Sequence, residues 1–359
     1  MSSAPITASP VPEADTSAAP KAHGPRLSQL DGLRGLAAFI IMFYHLEIVY
    51  RSHGPFVRGY LMVDLFFLLS GFVLAVSTEK KLIAGIGAFE FTWSRYKRLF
   101  PLVAVGVSVA VVRAFAIGMA DPLTLLMWVA LDLIMVPALS GSGPFYRYNG
   151  PQWTLFWELV ANFTHALLLK RVPTKVLPVL VVLFGALLVY TARRHGSDTM
   201  GVAALTAKTW WMPIPRVAFP YVLGVWMGRK YKEGFRTRAL PWQLALLLPI
   251  AGIAVVPYLP LAKANGDLLF VVLFLPVMLW NVVLCRPPQR LAPAMDWLGN
   301  FSLPLYCVHL TVLVWISEVF GRDVWVRFVA VGGALALAYG FSKLISFGAK
   351  PTVVKAKPA

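Results

Sequence analysis

The sequence predicts an all-α fold: a polytopic transmembrane helical bundle of about ten full spans, with a re-entrant or partial helix at 122–138. The composition is the first of three observations behind this. The chain is 58% hydrophobic and 14% charged, with a mean hydropathy of +0.69, a balance that cannot cover the surface of a soluble globule. The second is repetition. Apolar runs of about 17 to 24 residues recur from Leu33 to Phe347, each close to the ~20 residues a helix needs to cross a ~30 Å hydrocarbon core. The third is physical. Lipid offers no partner to an open backbone, so each run must satisfy its own polar groups as a helix.

Taken in order, the expected spans are 33–50, 60–78, 99–119, 153–169, 176–192, 211–228, 241–259, 267–284, 297–318 and 324–347. The segment 122–138 stands apart. It carries Asp132, is short, and runs into the Gly/Ser/Pro stretch SGSGPFYRYNGP, which suits a loop or re-entrant turn. Loop charge decides its status, because Lys and Arg accumulate on the cytoplasmic side. With 122–138 not crossing and the N-terminus inside, 22 of the 33 Lys and Arg fall on the inner side; if it crosses, the count is 16 inside against 17 outside. Both termini are therefore expected in the cytoplasm. The net charge of +17 is read as this orientation signal, and nucleic acid is not an expected partner.

Residues 1–26, rich in Ala, Pro and Ser, form the expected disordered cytoplasmic tail, with no apolar core of a cleaved signal peptide. The membrane domain is expected over 27–348, and 349–359 form a second cytoplasmic tail. Cys285 and Cys307 show neither disulfide-framework nor zinc spacing and are read as packing residues. No His/Asp/Glu group has metal-ligand spacing.

An ionisable residue at membrane depth is costly, so it marks a functional site or a structural pair. In LDGLRGLAAFIIMFYHL, residues 30–46, Arg34 and His45 are eleven residues apart, which places them on one helix face about 16 Å apart along the axis. Arg34 then sits at the cytoplasmic edge and His45 near mid-bilayer. In VDLFFLLSGF, residues 63–72, Asp64 lies in the outer interface, and Ser70 and Gly71 permit close helix approach. In RYKRLFP, residues 95–101, Arg95 and Arg98 are neighbours on a helix and can grip phosphate from two sides. In QWTLFWELV, residues 152–160, Glu158 lies about 8 Å below the outer edge. In NFSLPLYCVHL, His309 lies about 18 Å from the inner edge. His45, Glu158 and His309 thus fall at similar depth on independent spans. His165 lies too near the cytoplasmic end of its span to join them.

These stretches resemble the bacterial acyltransferase-3 family, whose members acylate extracytoplasmic glycans, lipids and related acceptors. The Arg-x10-His motif is matched by Arg34 and His45, the Asp-Leu-Phe-Phe-x-Leu-Ser-Gly segment by residues 64–71, and Arg-x-x-Arg by Arg95 and Arg98. Trp-Ser-Leu-x-x-Glu is similar to Trp153 to Glu158, with Thr154 in place of serine, and the late Leu-Tyr-x-x-His to Leu305 to His309, with Pro304 just before it. The resemblance implies an inner-membrane O-acyltransferase that moves an acyl group, acetyl foremost, from cytoplasmic acyl-CoA to a hydroxyl of a glycan or lipid-linked acceptor. Arg34, Arg95 and Arg98 would bind coenzyme A phosphates. His45 would be the general base, with Glu158, His309 or Asp64 orienting it or positioning the acceptor. The alternative reading is a proton-coupled transporter or flippase, with the buried His and Glu as a proton relay.

Overall fold

The computed structural model describes residues 27–118, 121–137, 146, 149–194 and 210–348; the two expected tails lie outside them. Thirteen α-helices carry the described chain, which contains no β-strand. They are α1 (Ser28–Val49), α2 (Met62–Ser77), α3 (Glu79–Ile83), α4 (Ala88–Ala116), α5 (Pro122–Leu133), α6 (Gln152–Leu167), α7 (Leu177–Arg194), α8 (Pro213–Lys232), α9 (Trp242–Val255), α10 (Lys263–Leu269), α11 (Leu275–Leu284), α12 (Ala292–Phe320) and α13 (Val324–Gly348). The fold is the all-α membrane bundle that composition and periodicity predict.

All ten expected spans carry helix, and among the described residues seven helical stretches are long and apolar enough to cross a membrane by themselves. The other three fall short for identifiable reasons: α6 has 16 residues and α9 has 14, while α8 dilutes its apolar character with Arg216, Arg229, Lys230 and Lys232. The segment at 122–138 forms only the 12-residue α5, capped by Asp121, whose side chain accepts from the backbone N–H groups of Leu123 and Thr124. One span is interrupted. Helices α10 and α11 are joined by a π-turn over Phe270–Phe274, which ends two residues before Pro276, whose missing N–H removes one rung of the helical ladder there.

Two helix pairs form the centre, α1 on α12 and α2 on α8. Small residues set both. A Cβ on Gly35 would lie 2.6 Å from that of Leu298, and one on Gly224 would strike the backbone oxygen of Leu68, so the backbones approach as closely as only glycine allows. Since α1 carries Arg34 and His45 and α12 carries His309, this first pairing is what positions the polar residues.

Candidate active site

The histidines meet at the α1–α12 seam. His309 Nε2 lies 3.0 Å from His45 Nδ1, with ring centroids 5.0 Å apart. Each ring also contacts the carbonyl one turn back on its own helix, His45 Nδ1 with Ile41 O at 3.1 Å and His309 Nδ1 with Leu305 O at 3.0 Å. These contacts fix the protons. A carbonyl can only accept, so both Nδ1 atoms carry hydrogen, and in two neutral rings both Nε2 atoms are then bare. His45 Nδ1–H donates to His309 Nε2, shared with Ile41 O, and His45 Nε2 is left with its lone pair. His309 is fully buried, whereas His45 is only half-buried. Pro304 does not disturb the register, because α12 runs unbroken through it.

One cavity of about 110 Å³ gathers Arg34, Arg95, Arg98 and Glu158. The sequence set these on three spans, α1, α4 and α6, with no means of giving their azimuths. Helix α4 begins at Ala88, well before the apolar run, so the basic segment is itself helical and turns Arg95 and Arg98 toward α1. Arg34 is loosely paired with Asp31 at 3.7 Å, and Glu158 accepts a hydrogen bond from Ser70 at 3.2 Å. Three guanidinium groups around two carboxylates leave an excess of positive charge, suited to an anion with several oxygens. The same cavity is also lined by Phe66 and Tyr306. The Tyr306 ring centroid is 5.8 Å from that of His309, so this one tyrosine spans from the cavity to the histidine pair.

Asp64 takes a different place. It is fully buried and held by Arg216, with Nε at 3.1 and 3.2 Å and Nη2 at 2.9 Å from its oxygens. Arg216 also donates to Tyr60 O at 3.0 Å and lies 5.7 Å over the Trp153 ring. The carboxylate therefore braces α2, α6 and α8 and does not line the arginine cavity. Thr154 bonds Tyr306 across α6 and α12, 2.8 Å between hydroxyl oxygens, so the hydroxyl it retains in place of serine is in use. Four of the five polar stretches are thereby cross-linked in pairs.

A second buried network lies beside the cavity. Glu79 on α3 binds Arg229 with Nη2 at 2.6 Å, and His165 Nε2 lies at 3.1 Å. Tyr221 is within 3.3 Å of His165 Nδ1 and donates to Asn162 at 3.2 Å; Asn162 lines the arginine cavity. Burial opposes ionisation of Glu79, but hydrogen bonds from His165 and Arg229 outweigh it and hold the carboxyl below its ordinary range. Depth reasoning sets His165 aside; the structure gives it a structural partner in a helix too short for that reasoning to see. Arg216 and Arg229 are also new. Arg216 lies in the predicted span 211–228, so the criterion of an ionisable group at membrane depth applies to it as it does to His45; Arg229 falls one residue past that span, where it is counted as an inner-side charge.

The family model described as an acyltransferase domain matches residues 27–343. The chain belongs to the acyltransferase-3 family. It is thus a membrane acyltransferase transferring groups other than aminoacyl groups, and the carrier alternative falls away. The enzyme is 27% identical to the acyltransferase MdmB of Streptomyces mycarofaciens, over 92% of this chain and 91% of that protein. It is 32% identical to the exopolysaccharide production protein ExoZ of Rhizobium meliloti over 39% of this chain and 43% of that one. To the O-acetyltransferase OatA of Staphylococcus aureus it is 38% identical, over 23% of this chain but only 13% of that protein. No solved structure matches it.

Proposed function

We propose that this acyltransferase moves an acetyl group from cytoplasmic acetyl-CoA to a hydroxyl of a glycan or lipid-linked acceptor on the far side of the bacterial inner membrane. The observation that carries this reading is the arrangement along α1: an arginine-lined cavity at Arg34 and, about 16 Å further along the axis, a histidine whose Nε2 is free to take a proton. That distance is comparable to an extended pantetheine arm, so phosphates held at the arginines would present the thioester near His45. The cavity between the arginines has room for the anionic end of the donor alone; the arm would run past Phe66 and Tyr306.

In the proposed step His45 Nε2 takes the acceptor's hydroxyl proton as its oxygen attacks the thioester carbonyl. The C–O bond forms, the C–S bond breaks, and the coenzyme A thiolate leaves with the proton returned from His45. His309 holds the His45 tautomer that leaves Nε2 bare, as a second group orients the base in other acyl-transfer sites. Glu158, tethered by Ser70, sits among the arginines and orders them around the donor. The basic loops support both termini in the cytoplasm, which puts the arginines on the donor's side. The names of ExoZ and OatA support a polysaccharide acceptor and acetyl as the group moved.

The test is His45→Ala in membranes given radiolabelled acetyl-CoA. Loss of label from the cell's polysaccharide and lipid fractions, with the protein still inserted, is the expected result. Labelling at the wild-type level would end the assignment of His45 as base.

A further inference from the structure

The proposed reaction leaves unused a groove along the exposed side of α11, whose lining includes neither histidine of the α1–α12 seam and none of the cavity arginines. Leu269, Leu273, Val277 and Trp280 recur every three or four residues and so share one face. The first three are each at least 40% exposed. Two hollows follow this stripe and adjoin at Val277, which lines both. One, against α9, is about 490 Å³ and apolar throughout. The other, against α8, is about 510 Å³ and apolar except for Lys230, Thr237 and Asn281. From Leu269 to Trp280 the groove runs about 16 Å, the depth of one leaflet of a ~30 Å hydrocarbon core.

Polarity is confined to one end, and that end is built. Gly234, at φ +88°, closes α8 in a left-handed turn in which Phe235 N donates to Lys230 O at 3.0 Å and Gly234 N to Tyr231 O at 3.2 Å. The loop that follows is tied to α11. Trp280 Nε1 donates to Thr237 Oγ1 at 3.1 Å and Leu240 N to Asn281 Oδ1 at 3.1 Å, and the Phe235 and Trp280 ring centroids are 5.6 Å apart. The loop's charges divide. Arg229 and Lys232 turn to Glu79, and Lys230 pairs with Glu233 at an exposed surface. Arg236 and Arg238 are exposed and have no carboxylate partner among the described residues. Arg236 lies 4.0 Å over the Tyr231 ring, and its Nη1 donates to Tyr231 O and Phe235 O at 2.7 Å each. Its chain neighbours Phe235 and Thr237 both line the groove, so an unbalanced positive charge is held at the mouth.

We infer that this groove holds one anionic phospholipid, its acyl chain along α11 and its phosphate among Lys230, Arg236 and Arg238. An apolar furrow one leaflet deep takes the chain, and the uncompensated guanidinium groups take the negative headgroup. A neutral lipid would leave that charge unanswered, and a second copy of the chain would bring the same basic loop against it. The lipid is bound apart from acyl transfer, so the inference does not rest on His45 as the base.

Native mass spectrometry of the full-length enzyme, released from nanodiscs of equal parts phosphatidylcholine and phosphatidylglycerol with matched chains, weighs the lipid each molecule retains. Wild type is expected to keep phosphatidylglycerol over phosphatidylcholine by roughly tenfold or more. Arg236→Ala with Arg238→Ala should abolish that preference. Val277→Trp, which fills the furrow where its two halves meet, should abolish retention while every charge is kept. Equal retention of the two lipids by wild type overturns the site. So does wild-type retention of phosphatidylglycerol by Val277→Trp, which would mean that the basic loop acts on the bilayer surface alone. Both arginines are exposed loop residues, so their arm stands even if Val277→Trp does not fold, and a preference that survives their removal also overturns the site.

Discussion

Replacing His309 by Phe removes a single function, the acceptor for His45 Nδ1–H, while keeping a flat ring of similar size in the seam. The Leu305 carbonyl it also contacts lies one turn back in α12, so little else is lost. The structure sets the magnitude. His45 Nδ1–H keeps a second acceptor, Ile41 O at 3.1 Å, so only one of its two hydrogen bonds disappears. A hydrogen bond contributes about 1 kcal/mol net, or roughly fivefold at 1.4 kcal/mol per decade. Removing the base itself by His45→Ala should cost ~10²–10⁴-fold. The assay is the initial rate of labelled acetyl transfer in membranes, normalised to inserted protein. His309→Phe should lose roughly fivefold, and His45→Ala with His309→Phe should be no slower than His45→Ala alone, because the two rings act as one unit. A His309→Phe loss as deep as that of His45→Ala would make His309 the proton acceptor and refute the tautomer reasoning; a further drop in the double variant would refute the coupling.

Three other outcomes follow from named contacts. Arg98→Ala should raise the KM for acetyl-CoA at least tenfold, the scale of one charge-assisted hydrogen bond of ~1.5–3 kcal/mol; an unchanged KM would return Arg98 to a purely topogenic role. Asp64→Ala strands Arg216 and should lower stability by about 3–5 kcal/mol, whereas Asp64→Leu with Arg216→Met should be far milder, as read by thermal unfolding in detergent. Glu79→Gln should destabilise by about 3 kcal/mol at neutral pH. Because the folded Glu79 pKa lies below its unfolded value, its stabilisation is present above the unfolded pKa and lost as pH falls through the folded one. Unfolding of wild type and Glu79→Gln should therefore converge in acid, and a gap that persists below the carboxylate range would contradict the Glu79 assignment.

The helical class and the polar stretches are legible in the chain because their causes are local. Twenty apolar residues need lipid whatever surrounds them, and Arg34 and His45 share a face because both sit on one rigid repeat of 3.6 residues per turn. Depth is local too, which is why His45 and His309 can be placed at one level from their own spans. Helix ends are less so: α4 starts at Ala88, eleven residues before the apolar run begins, because a helix can continue through polar residues that hydropathy counts as outside the span.

What depends on azimuth could not be read. Sequence depth put Glu158 at the level of the histidines, yet α6 sets it beside Ser70 in the arginine cavity at the Arg34 end of α1, while the close α1–α12 approach brings His309 onto His45. Asp64 could equally have faced solvent, a base or a partner. Its answer, Arg216, lies 152 residues away in sequence on a helix that Gly71, Gly224 and Gly228 let so near. The chain by itself determined the solvent, the helices and the chemistry available on each, because these follow from composition and the period of a single helix. Which side chains share a cavity, and which histidine keeps a free nitrogen, was decided by tertiary packing, because rotation of one helix against another is set by side-chain volumes across the seam.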